Sequence, residues 1–191
     1  MFSEKPVDAV AIDEIVREAG VSKGSFFNYF KEKVEVLHAI REDVKVKITE
    51  SVTDLNDGIE DPAVRVARGL SFYFRLVIDE PSMVRFMLQL DANVTDAIAL
   101  QVNDGVLTDA RHGIASGRFK IPSAESAAYF IVGAGYAGLV NMLNDQKVIS
   151  VSSLGRHLIT MVLGGLGLEN EDANSIAAVA VEQIIRKQGD G

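Results

Sequence analysis

Residues Ile12 to Lys33, IDEIVREAGVSKGSFFNYFKEK, restrict the fold of this chain more than any other stretch. Ile12, Ile15, Val16 and Ala19 recur at helical spacing on one face. Asp13 and Glu14 fall in the first turn, where carboxylates suit the positive end of a helix. Gly20 supplies a backbone that can turn sharply. Ser22 is placed to cap a second helix that runs to about Phe30, with Val21, Phe26 and Phe30 facing inward. Two short helices about such a turn have the shape of a DNA-reading helix-turn-helix.

The rest of the chain reads as helical too. There are only four prolines, and apolar residues recur mostly at threes and fours, so the fold expected is all-α. A small head is followed by a larger helical body. A long helix is expected from Lys33 to about Asp54, with Val36, Leu37, Ile40, Val44, Ile48 and Val52 as its stripe. Asn56, Asp57 and Gly58 break it. Asp61 and Pro62 have the cap and first-turn pattern of a new helix. That helix runs to about Ile78 and ends GLSFYFRLVI, apolar almost all round, which marks a central position. Pro81 opens a short helix to about Leu90, and Asp91 to Thr95 is a break. A further helix ends near Ala115, before Gly117. After an Ile121–Ser123 linker that ends on a serine cap, helices are expected over Ala124–Asn144 and Val151–Gly167, joined through Val148–Ser150. Asn170 or Asp172 caps a last helix ending near Lys187.

Composition excludes several classes. The chain has no cysteine, which removes disulfides and thiolate chemistry. His38, His112 and His157 are too widely spaced to suggest a metal site. Uncharged apolar runs stay below the roughly 18 residues of a membrane span, so no membrane contact is expected. Met1 is soon followed by Glu4 and Lys5, unlike a signal peptide, and a cytoplasmic location is expected. The net charge of -8 argues against a protein that coats nucleic acid non-specifically. Between Ala19 and Lys33, however, Lys23, Lys31 and Lys33 face only Glu32. DNA binding would rest on that small basic spot.

The run AGVSKGSFFNYF, with Lys33 three residues beyond it, resembles the TetR family of one-component transcriptional regulators. Ile12–Arg17 resembles the helix that precedes the family's reading helix. The specific match covers about Phe2 to Leu37. The resemblance implies a helix-turn-helix domain over 1–37 and a helical ligand-binding and dimerisation domain over 38–191. It implies that Lys23, Ser25 and Asn28 face the major groove, that Gly24 allows close approach, and that Tyr29 and Lys33 touch phosphate. The chemistry agrees: lysine can donate to guanine and asparagine can pair with adenine. Three departures stand out. Phe27 replaces a phosphate-binding tyrosine. Ala11 replaces a capping hydroxyl, which typically costs about 1 kcal/mol. Only Met1–Lys5 resembles the family's first helix, so the true start is expected upstream.

Gly133, Gly135 and Gly138 form a GxGxxG that follows YFIV, the pattern of a dinucleotide-binding fingerprint. An oxidoreductase built on it is the alternative function. The acid expected about 20 residues further on is missing from Ser152–Arg156. Too little chain follows for a nucleotide domain. Close packing of a glycine-bearing helix is the favoured explanation. With no Ser-His-Asp spacing, carboxylate pair or phosphate loop, neither an enzyme nor a cofactor is expected.

The resemblance further implies a homodimer through helices of about 124–144 and 151–167, both poor in charge. A small, largely apolar ligand would lie among the central helices, with Phe72, Tyr73, Phe86, Met87, Tyr129 and Tyr136 as candidates. Arg75, within an apolar helix, needs an anionic partner: Asp79, Glu80 or a ligand carboxylate. Arg111 and His112 are read as surface residues. The function expected is a ligand-released repressor of operator DNA.

Overall fold

The computed structural model describes residues 10–90 and 104–186. Among these residues there are nine α-helices and no strand. They are α1 (Ile12–Glu18), α2 (Lys23–Tyr29), α3 (Lys33–Leu55), α4 (Pro62–Asp79), α5 (Pro81–Leu90), α6 (Asp104–Ala115), α7 (Ala124–Met142), α8 (Val148–Gly165) and α9 (Asn170–Ala180). A π-helical turn, Val181–Ile185, extends α9. The expectations for Met1–Pro6, for the break at Asp91–Thr95 and for an end near Lys187 lie outside the described residues.

Local chemistry sets most boundaries. The α1–α2 turn is a Schellman motif: Gly20 has φ 66°, its amide donates to Arg17 O, and the Val21 amide donates to Val16 O. The Asp61 carboxylate accepts the Ala63 amide at 2.8 Å, with Pro62 in the first turn of α4. Ser123 caps α7 through the Ser126 amide at 3.2 Å. Two expectations need correction. Helix α8 begins at Val148, because Asp145 accepts both the Lys147 amide at 3.3 Å and the Ser150 hydroxyl at 2.7 Å and so organises the first turn. Neither Asn170 nor Asp172 caps α9. Its cap position is Glu169, without a side-chain bond, and Asp172 is held by Arg118.

Helix α4 is the axis of the body. Ala63, Val66, Ala67, Leu70, Phe74 and Val77 recur at threes and fours and are buried. Around them pack α6, α7, α8, α9 and the π turn. Helix α8 is apolar enough to cross a membrane by length and composition. Val151, Ile159, Val162 and Leu163 instead lie in the same core as α4. Gly133–Gly138 sits inside the unbroken α7, so the strand–turn–helix of a dinucleotide site is absent. A Cβ at Gly138 would lie 2.8 Å from Phe74 Cε1 and 2.9 Å from Leu158 Cδ1. The glycine lets α7 close onto α4 and α8.

Arg118 ties the ends of this bundle together. Its Nε and Nη2 donate to Asp61, and its Nη1 donates to Asp172 at 2.6 Å. These bonds raise the guanidinium's pKa further above its ordinary value, against a smaller opposing effect of burial.

Candidate nucleic-acid interface and cavity

The head has its own small core. Ile15 and Val16 of α1, Phe26 of α2 and Val36 of α3 bury together with Val10, and Ile12, Phe30 and Ile40 close the edge. Phe26 is the buried residue of α2 and meets Phe27 edge-on at 5.3 Å. Val21, expected inside, is exposed because it belongs to the turn after the glycine.

Anchored through Phe26, α2 exposes Lys23, Gly24, Ser25, Phe27, Asn28 and Tyr29. Ser22 Oγ accepts the Ser25 amide at 3.0 Å, and the two hydroxyls lie 2.9 Å apart. Tyr29 is 83% exposed at the far end of the helix. Glu35 accepts the Lys31 amide and fixes the turn into α3. Two lysines stand differently from a simple groove-facing set. Lys23 Nζ lies 2.7 Å from Asp13 Oδ1, with both side chains exposed. Such a pair is worth about 0–1 kcal/mol and can be exchanged for another anion at little cost. Lys33 Nζ donates to the Val10 carbonyl at 3.0 Å and is half-buried. In this geometry Lys33 fastens the incoming chain to α3. Ala11 occupies the cap position of α1 without a side-chain bond.

In the body, a cavity of about 100 Å³ lies between the last turns of α3 and helices α4, α6 and α7. Tyr73 and Tyr136 line it, together with apolar Val52, Val66, Leu70 and Ile131. Phe72, Arg75, Phe86, Met87 and Tyr129 do not line this cavity. Phe72 packs edge-on against Tyr73, Phe86 is buried in α5, and Tyr129 is 52% exposed on the outside of α7. Arg75 has its anion in Asp79 at 2.7 Å and also donates to the Ile185 carbonyl at 2.7 Å. Arg111 and His112 are exposed.

The polar end of the cavity escaped sequence reasoning. Asn56, Arg65 and Asp109 meet there from three separate elements. Arg65 Nε donates to Asp109 Oδ1 at 2.6 Å, and Arg65 Nη1 donates to the carbonyls of Asn56 and Ile59. Burial pushes the Asp109 carboxyl up, against the opposing pull of Arg65 and His112. Burial also pushes the Tyr73 phenol up, to about 12. The signal available in the sequence was an arginine in one helix and an aspartate in another, 44 residues apart.

Comparison with known proteins places these two parts. Residues 1–40 match the family described as bacterial regulatory proteins, tetR family. Residues 61–179 match the tetracyclin repressor-like C-terminal domain. The solved structure of RolR in complex with resorcinol is similar, with a TM-score of 0.74 and 24% identity over 93% of this chain and 87% of that one. A TetR-family transcriptional regulator from Pectobacterium atrosepticum has a TM-score of 0.69 and 18% identity, covering 88% of this chain and 89% of its own. A gamma-butyrolactone receptor (ArpA-like protein) has a TM-score of 0.67 and 16% identity, covering 95% and 91%. No curated protein sequence matches. The match of the C-terminal domain spans more than half of the chain, and the head carries the helix-turn-helix match. The chain belongs to the tetR family of bacterial regulatory proteins.

Proposed function

We propose that the protein is a transcriptional repressor that binds operator DNA as a homodimer and is released when a small, largely apolar molecule occupies the cavity. The division proposed is a reading head over 1–37 and a sensor body over 38–191. Operator bases would be read by Lys23, Ser25 and Asn28, with Gly24 admitting the groove and Tyr29 meeting phosphate. The observation that carries the reading is the span of α3. Val36, near its start, belongs to the core of the head. Thr49, Val52, Thr53 and Asn56, near its end, line the cavity. One rigid helix therefore touches both the reading head and the guest. A ligand that binds better to a body with another α3 setting lowers operator affinity by that difference in binding free energy.

Two heads must enter major grooves one turn apart, about 34–36 Å, which requires a twin. Support for the twin comes from the outer faces of α7 and α8. Tyr129, Phe130, Val140, Ile149 and Met161 are all exposed there. Exposed apolar side chains on two neighbouring helices suit burial against identical ones. A regulator of this kind works in the cytoplasm, where the chromosome is.

The DNA upstream of the protein's own gene provides the test. A sequence-preferring gel shift that grows weaker with salt is expected. A full chain that shifts this DNA no better than random DNA would remove the repressor reading.

A further inference from the structure

We propose that the cavity takes a neutral, single-ring molecule bearing a hydroxyl group, and that this hydroxyl donates to Asn56 Oδ1. The inference rests on reading the cavity as the effector site and specifies the chemistry of the effector.

Asn56 is 3% exposed and forms part of the cavity wall. Its Nδ2 donates to the Arg65 carbonyl at 3.3 Å, which sets the amide orientation. Its Oδ1 is buried without a hydrogen-bond partner among the described residues. Native folds keep few such atoms, and one that belongs to a cavity-lining residue can take a donor from a guest once the side chain turns towards it. Asp109, another acceptor, is close by on the same wall.

The charges argue against an ionic guest. A carboxylate would be placed beside Asp109, while Arg65 already spends Nε and Nη1 on Asp109 and two backbone carbonyls. A cation would have to compete with Arg65 for Asp109. Apart from the neutral hydroxyls of Thr49 and Thr53, the rest of the wall is apolar or aromatic, and desolvating a charge against it is costly. Size narrows the choice further. A cavity of about 100 Å³ is of the order of the roughly 150 Å³ that holds one benzene ring in an engineered apolar core. A phenol has that size and carries that donor.

Calorimetric titration of the full chain with phenol, toluene and benzoate tests this. The three probes are similar in size and differ in the donor and the charge. Phenol is expected to bind about tenfold or more tightly than toluene, with benzoate weakest. Asn56→Leu is expected to weaken phenol about tenfold and to leave toluene within about twofold. Toluene binding as tightly as phenol, benzoate binding tightest, or no probe binding would each overturn the proposal. The first of these is also the outcome if ordered water alone satisfies Asn56. Should Asn56→Leu not fold, the order of the three probes on the unaltered chain still decides. The same probes added to the gel shift keep the two readings apart. Phenol that binds without releasing DNA counts against the regulator and leaves the chemistry of the cavity standing.

Discussion

A methyl group at position 24 would fit, since its nearest neighbour would be Ser22 Oγ at 3.7 Å. Packing within the chain therefore gives no reason for glycine there, and glycine costs up to about 1 kcal/mol in a helix relative to alanine. Close approach of DNA, as proposed, would supply a reason. Gly24→Ala is expected to stabilise the head by roughly 0.5–1 kcal/mol in chemical denaturation and to weaken operator binding in the same preparation. A variant that gains stability and keeps full DNA affinity would remove Gly24 from the interface. Gly138 gives the opposite case. A Cβ there would meet the buried ring of Phe74, so Gly138→Ala is expected to lower thermal stability by about 1–3 kcal/mol. The GxGxxG thus had its packing explanation in the sequence, while Asn56 did not. In the chain Asn56 is one polar residue in a helix break. Its role depends on Arg65 and Asp109, which only the tertiary fold brings beside it.

Elements with a cap directly before them were legible from the chain alone. Ser22, Asp61 and Ser123 each accept an amide in the first turn of the helix they were expected to start. The start of α8 was not legible, because Asp145 organises it from three residues upstream of Val148. Asp61 also carries a pH dependence. Burial pushes its carboxyl up, but Arg118 and the amides of Ala63 and Val64 outweigh that and hold it below its ordinary 3.8. A depressed carboxyl contributes stability in full above its unfolded pKa and loses it as pH falls through the folded value. Arg118→Met is therefore expected to cost roughly 1–2 kcal/mol at neutral pH, a figure reduced for partial solvent exposure. Below about pH 4 the melting temperatures of the variant and the unaltered protein should converge. A gap that stays constant as the pH falls well below 4 would show that Asp61 is not the partner that matters.

At the scale of the whole molecule, the exposed face of α7 and α8 makes the assembly testable. Met161 is 69% exposed and has little to lose inside the monomer. Met161→Glu is expected to leave the fold intact by circular dichroism, shift sedimentation towards the monomer and weaken operator binding at least tenfold. A variant that stays dimeric would move the interface elsewhere. Helix α3 has a mechanical consequence as well. It is unbroken over 23 residues, a rigid arm of about 34 Å at 1.5 Å per residue. Pivoted near the cavity, a swing of about 5° carries its far end by about 3 Å, close to the rise of one base-pair step. In a two-fold pair the arms would swing in opposite senses, and the change in reach would double. Under the proposed mechanism, a guest of a few atoms would need to wedge one end of this crank by only a fraction of an ångström to put the two reading heads out of step with the double helix.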